Sequence, residues 1–241
     1  MLVTVLGFYG GYPHDGFGTS GYLLQDDDKK LLIDCGSGVL NSLSKYMEPT
    51  DLDAVVLSHY HHDHTADVGV LQYEWLASKK ENLLPIYGHT QDFVNYAQLS
   101  VENATQGIAY NDYEPTMIGD LKFEFLKTVH PVPAYAIRVT DKEGKVLVYT
   151  ADTTYFDGLV DFSKDADLLI ADTNFPEDVT GRKAHLNTKE AGTLAKEAKV
   201  KRLMISHLPQ TVDLDTMLSQ TQKYAGDVPV VRAFQGLEMN L

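Results

Sequence analysis

Ser58-His59-Tyr60-His61-His62-Asp63-His64 carries four histidines and one aspartate within seven residues. Imidazole and carboxylate are good ligands for Zn²⁺ and also suit Mn²⁺ and Fe²⁺. Four imidazoles in one turn repel one another when protonated and do nothing structural there, whereas a divalent cation gives them a role. Written H-x-H-x-D-H, the donors are His59, His61, Asp63 and His64. Side chains 59 and 61 point the same way from an extended segment, while Asp63 and His64 fall on the bend and diverge. The spacing suggests two ions, one for each pair.

Such a cluster needs a rigid mount. Asp53 to Leu57 reads as a short buried strand, and Thr65 to Lys80 has helical spacing with Val68, Leu71, Tyr73, Trp75 and Leu76 along an apolar face. The cluster therefore occupies a strand-to-helix turn, where a scaffold presents loop residues to a ligand. Other apolar runs end in residues of the same kind. Leu31 to Asp34 reads as a strand, followed by the turn Asp34-Cys35-Gly36-Ser37-Gly38 and a helix from Val39 to Tyr46. By local chemistry alone Asp34 could equally cap that helix. After a strand pair, Met117 to Gly119 and Leu121 to Leu126, His130 ends an apolar strand and Pro131 stops regular structure immediately. Lys145 to Thr150 ends in Asp152, Asp167 to Ala171 runs into Asp172, and Lys201 to Ser206 ends at His207.

The remaining elements frame these ends. Leu2 to Leu6 is a strand that enters a glycine-rich, aromatic loop, Gly7 to Gly18. That loop could approach a ligand through its backbone, but it lacks the G-K-[ST] and the following helix of a P-loop. Asn187 with Glu190 makes a capping-box start for a helix to Lys199. His185 stands just ahead of that helix, a position suited to an anion.

At these residues the chain resembles the metallo-β-lactamase superfamily, and the resemblance spans nearly its whole length. It implies an α/β fold: a four-layer αββα sandwich of two mixed β-sheets flanked by helices, as a single domain over residues 1–241. It places His59, His61 and His130 on one metal and Asp63, His64 and His207 on the other, with Asp152 bridging. Asp34 would orient an imidazole from behind, and Asp172 has no direct ligand role. The cofactors implied are two divalent metal ions, zinc first, with Mn or Fe as alternatives. A hydroxide between two dications is a nucleophile near neutral pH, so hydrolysis follows, with Asp63, Asp152 and His185 as its catalytic residues. His185-Leu186-Asn187-Thr188 resembles a motif of the phosphodiesterase branch near ribonuclease Z. Ribonuclease Z has a long arm that grips tRNA, inserted ahead of the matching histidine. Here only the short loop 174–184 is present. The expected substrate is thus a small or cyclic phosphodiester or a short oligonucleotide. The alternative is a carbonyl-ester hydrolase, a lactonase or glyoxalase II-like thioesterase, in which His185 shapes the pocket and Tyr9, Tyr12, Tyr22 or Tyr135 polarises the carbonyl. A third reading is a metal-binding sensor or partner module without turnover.

Composition narrows the partners. A net charge of −14 disfavours an extended nucleic-acid surface, which rests on many cationic contacts to phosphate. It leaves room for a small anionic substrate. No run of 18 apolar residues exists, so no membrane span is expected, and Met1 to Gly7 reads as a first strand, not a signal peptide. The single cysteine, Cys35, excludes an internal disulfide and fits a reducing cytoplasm. It reads as a small buried residue before it reads as a ligand. The branch resemblance implies a homodimer.

Overall fold

The computed structural model describes residues 1–241. The chain divides into two compact units, Met1–Asn111 with Phe234–Asn240, and Asp112–Ala233 with Leu241.

In the first unit the strands are β1 (Leu2–Tyr9), β2 (Gly18–Thr19), β3 (Gly21–Asp26), β4 (Lys29–Ile33), β5 (Ala54–Val56), β6 (Leu84–His89), β7 (Thr105–Tyr110) and β15 (Glu238–Asn240). They form a sheet in the order β15-β1-β3-β4-β5-β6-β7, with β2 paired to β1. Pairing is antiparallel from β15 to β4 and parallel from β4 to β7. Leu23, Leu24, Leu31, Leu32, Val55 and Val56 are all fully buried, so these strands read as near-continuous apolar runs covered on both faces. The register decides what meets. Ile33 pairs with Val56 and Val56 with Tyr87, so β4, β5 and β6 end at one rim. Tyr22 pairs with both Ile33 and Val5, which brings the end of β1 to the same rim. The glycine-rich loop, the Asp34 turn and the histidine cluster therefore share one edge.

Four helices accompany this sheet: α1 (Val39–Leu43), α2 (His62–Thr65), α3 (Val68–Ser78) and α4 (Phe93–Ala97). The core joins Leu6, Leu23, Leu32 and Val55 of the strands to Leu43, Leu71 and Trp75 of the helices. The helix expected over 65–80 is broken in two, and α2 takes Asp63 and His64 into its first turn. The buried side of α3 is Val68, Leu71, Gln72 and Trp75, whereas Tyr73 is 78% exposed. Two positions beyond Leu71, a side chain leaves the other side of a 3.6-residue turn. The helix expected from Val39 to Tyr46 ends at Leu43.

The second unit holds β8 (Thr116–Ile118), β9 (Leu121–Lys127), β10 (Tyr135–Thr140), β11 (Val146–Tyr149), β12 (Leu168–Asp172), β13 (Leu203–Ser206) and β14 (Val230–Arg232), in the order β14-β13-β12-β11-β10-β9-β8. β8 to β11 is an antiparallel meander, and β11 to β14 is parallel. Tyr149 pairs with Ile170, and Asp172 with Ser206, so β11, β12 and β13 end together. Lys127 pairs with Tyr135 and Ile137 with Tyr149, which adds the end of β9. The helices are α5 (Asp157–Ser163), α6 (Thr188–Glu197) and α7 (Leu214–Ala225). The capping box opens α6 as expected: Asn187 Oδ1 accepts from Glu190 N at 2.8 Å and Glu190 Oε2 from Asn187 N at 3.0 Å. Both sheets are mixed and flanked by helices, the α/β architecture expected. No helix is long and apolar enough to cross a membrane.

The Asp34 turn depends on one absent side chain. A Cβ on Gly36 would stand 2.1 Å from the Asp63 carbonyl oxygen and 2.4 Å from Thr19 Oγ1. Gly36→Ala is expected to cost about 1–3 kcal/mol, the scale of overpacking, read as a lower urea midpoint. An unchanged midpoint would show that α2 yields without strain.

Candidate metal centre

At the rim of the first unit, Asp34 is fully buried and holds the cluster by three contacts. Its Oδ2 is 2.7 Å from His64 Nδ1 and accepts from Ser58 Oγ at 2.8 Å, and its Oδ1 accepts from Ser58 N at 2.7 Å. Ser58 Oγ in turn lies 3.0 Å from His59 Nδ1. One carboxylate thus fixes two imidazoles, one directly and one through a hydroxyl. It does not cap α1, whose N-cap is Gly38. With both Nδ1 atoms occupied, His59 and His64 present Nε2. His61 presents Nδ1, 3.2 Å from His59 Nε2. Asp63 Oδ2 is 3.5 Å from His64 Nε2 and accepts the Gly11 N–H at 2.7 Å, so the glycine-rich loop does reach the cluster through its backbone. Tyr110 donates to the carbonyls of Leu57 and Ser58 at 2.7 and 3.2 Å and fixes the backbone where it leaves β5.

The rim of the second unit is built on two buried carboxylates, Asp152 and Asp172. Asp152 divides its oxygens: Oδ2 is 3.7 Å from His130 Nε2 and Oδ1 is 3.4 Å from His207 Nε2. Asp172 lies behind. Its Oδ2 is 2.8 Å from His185 Nδ1 and its Oδ1 is 3.3 Å from His207 Nδ1. His130 Nδ1 faces the Ala184 carbonyl at 3.2 Å. All three histidines therefore turn Nε2 away from their supports. Burial alone would lower the His185 pKa; the charge of Asp172 and its hydrogen bond outweigh it, and the net direction is upward. Asp152, Asp172, His185 and His207 have ligand atoms within 4.8 Å of one another.

The backbone at these ends is bent. Asp34, Ala151 and His207 have φ of 55°, 51° and 54°. A non-glycine residue in that region costs about 1–3 kcal/mol and is held by its surroundings. His130 does not end its strand: β9 stops at Lys127, and His130 follows in the loop. Cys35 is buried in the core, and burial first, then Asp67 and Asp34, push its thiol well up, which suits a packing residue.

Do these donors fit divalent cations? In a tetrahedral zinc site with bonds of roughly 2.1 Å, neighbouring ligand atoms are about 3.4 Å apart. The four pairs within the units, at 3.2, 3.5, 3.7 and 3.4 Å, all lie near that edge. The donors are imidazole nitrogens and carboxylate oxygens, and His59, His64 and His130 have Nδ1 held from behind, as metal-binding imidazoles do. The residues fit. Sequence reasoning passed over Asp172 as a support, and Ser58 and Tyr110 altogether. The signal for Asp172 was present: its strand ends beside those that deliver Asp152 and His207.

Comparison with known proteins points the same way. Residues 29–208 match a family model described as beta-lactamase superfamily domain. The chain is 46% identical over 239 residues to the "Probable metallo-hydrolase YhfI" of Bacillus subtilis (strain 168), covering 97% of this chain and 98% of that one. The crystal structure of the metallo-beta-lactamase fold protein YhfI superposes with a TM-score of 0.95 at 43% identity, over 99% of this chain and 98% of that chain. A ribonuclease Z of Haloarcula marismortui is 24% identical over 299 aligned positions, covering 99% of this chain and 96% of that protein. Those positions outnumber the 241 residues here, so that relative contains segments this chain lacks.

Removing a support should weaken metal binding without removing a ligand. Asp34→Ala is expected to lower affinity for Zn²⁺ about 10–100-fold, the usual effect of losing a group behind a ligating histidine, measured by chelator competition. Wild-type affinity would mean that His59 and His64 need no orienting carboxylate.

Proposed function

The chain belongs to the β-lactamase superfamily of metallo-hydrolases, and we propose that within it this protein is a phosphodiesterase with two divalent cations. In this reading His59, His61 and His130 would hold one cation, Asp63, His64 and His207 would hold the other, and Asp152 would serve both. The two oxygens of Asp152, each turned to a different histidine, support a bridging role. When bound, the cations would lower the pKa of a water molecule and neutralise charge growing on phosphoryl oxygens. Zinc is the metal this donor set favours, with Mn or Fe as alternatives.

The observation that carries the phosphodiester reading is the Asp172–His185 pair. His185 Nδ1 is tied to Asp172 at 2.8 Å, so Nε2 is the atom free to act on substrate. Water adds to phosphorus, the P–O ester bond breaks, and the departing oxygen takes the proton that His185 Nε2 carries. Asp63, fixed by the Gly11 N–H, would accept the proton that the attacking water gives up. Size and charge favour a small substrate. Loop 174–184 is short, the aligned ribonuclease Z has additional segments, and a chain of net charge −14 repels extended nucleic acid. A small or cyclic phosphodiester or a short oligonucleotide meets these limits.

The test is hydrolysis of bis(p-nitrophenyl) phosphate by protein loaded separately with Zn²⁺ and Mn²⁺, with a γ-lactone and a thioester in parallel. Metal-dependent cleavage of the diester is expected; turnover of the lactone or thioester alone would move the protein to carbonyl esters and leave His185 without its role. His64→Ala and Asp152→Ala should each lower turnover by about 100-fold or more, a loss of a few kcal/mol in the barrier. His185→Ala should reduce kcat while metal content stays at the wild-type level. An unaltered kcat would return His185 to a structural part.

A further inference from the structure

Beside His130, within the second unit, lies a cavity of about 600 Å³. That is within the range of small-molecule sites. Its wall includes His130, Pro131, Thr154, Tyr155, Arg182 and Lys183. In a chain with 34 acidic and 20 basic residues, two adjacent cations on one cavity wall run against the overall charge. They are not equivalent. Lys183 Nζ is 2.6 Å from Glu190 Oε1, which neutralises it and ties this end of the loop to α6. Arg182 is exposed and enters no ion pair, so its guanidinium fork is available to the cavity. Tyr155 donates its hydroxyl to Glu197, and burial first, then Glu197, raise its pKa. With the hydroxyl committed, Tyr155 offers the cavity its ring.

The cavity therefore joins an aromatic wall and a guanidinium without an ion pair, next to His130. A guanidinium takes a phosphate or carboxylate through two parallel hydrogen bonds, and an aromatic face accepts a nucleobase by stacking. We propose that this cavity seats one half of the phosphodiester as a nucleotide fragment, with a terminal phosphate on Arg182 and the base against Tyr155. The preferred substrate class is then a short phosphodiester that carries its own phosphomonoester. This rests on the phosphodiesterase reading above. It also gives loop 174–184 a role, since Arg182 and Lys183 close the loop onto the cavity.

Three substrates with one scissile bond test it: thymidylyl-thymidine and its 5′- and 3′-phosphorylated forms, at fixed ionic strength, with the metal-loaded protein. One phosphorylated form is expected to show a kcat/KM at least about tenfold above the unphosphorylated one, the scale of a charge-assisted pair. Arg182→Glu should abolish that ratio, and Arg182→Lys should keep part of it, because charge survives while the fork is lost. Arg182 is exposed and makes no ion pair, so both variants are expected to fold. Equal kcat/KM for all three dinucleotides would overturn the subsite, as would a ratio that Arg182→Glu leaves intact. In both cases the phosphodiesterase reading would stand. Cleavage of none of them, with turnover of the lactone or thioester instead, would remove that reading and the subsite with it.

Discussion

A buried carboxylate held against an imidazole Nδ1 is the interaction on which the rest of this structure depends. It occurs once in each unit, as Asp34 on His64 and as Asp172 on His185, with the other oxygen of Asp172 facing His207. Each contact has two effects. At His64 it selects the tautomer that leaves Nε2 for a metal, at His185 it favours the protonated ring that Nε2 needs as a proton donor, and in both it sets the ring's direction. A carboxylate without a partner would be costly at this burial, so the histidines and the acids behind them are mutually required.

The sheets explain how residues so far apart in sequence come to work together. In both units, parallel strands end in register, and an antiparallel neighbour brings one more chain end to the same rim. Ligands at the carboxyl ends of such strands follow a general rule of α/β sheets. The left-handed steps at Asp34, Ala151 and His207 bend the chain at those ends. Strain at three positions on two rims is what a centre built for geometry, not stability, would show.

Much of this is legible in the sequence because the signals are local. H-x-H-x-D-H lies within six residues, strands ending in polar residues stand out from apolar runs, and the capping box is complete in Asn187 and Glu190. What the sequence hides depends on contacts across the chain. Asp172 reads as a second strand-end carboxylate with no direct ligand role until His185, 13 residues on, closes onto it. Strand β7 gives no clear signal, because Thr105-Gln-Gly-Ile-Ala-Tyr has a central glycine and only its two end residues are buried. Helix α5 has seven residues, only two of them buried, too few for a periodic signal. The break between α2 and α3 is equally silent, because nothing at Ala66-Asp67 is a helix breaker.

The central proposal is that Asp152 joins two cations. A crystal structure of zinc-loaded protein, with anomalous data on both sides of the zinc edge, tests it directly. The account predicts two anomalous peaks roughly 3.5–4 Å apart, as in two-metal hydrolases, with one Asp152 oxygen against each. A single peak, or two peaks with Asp152 bound to neither, would contradict it.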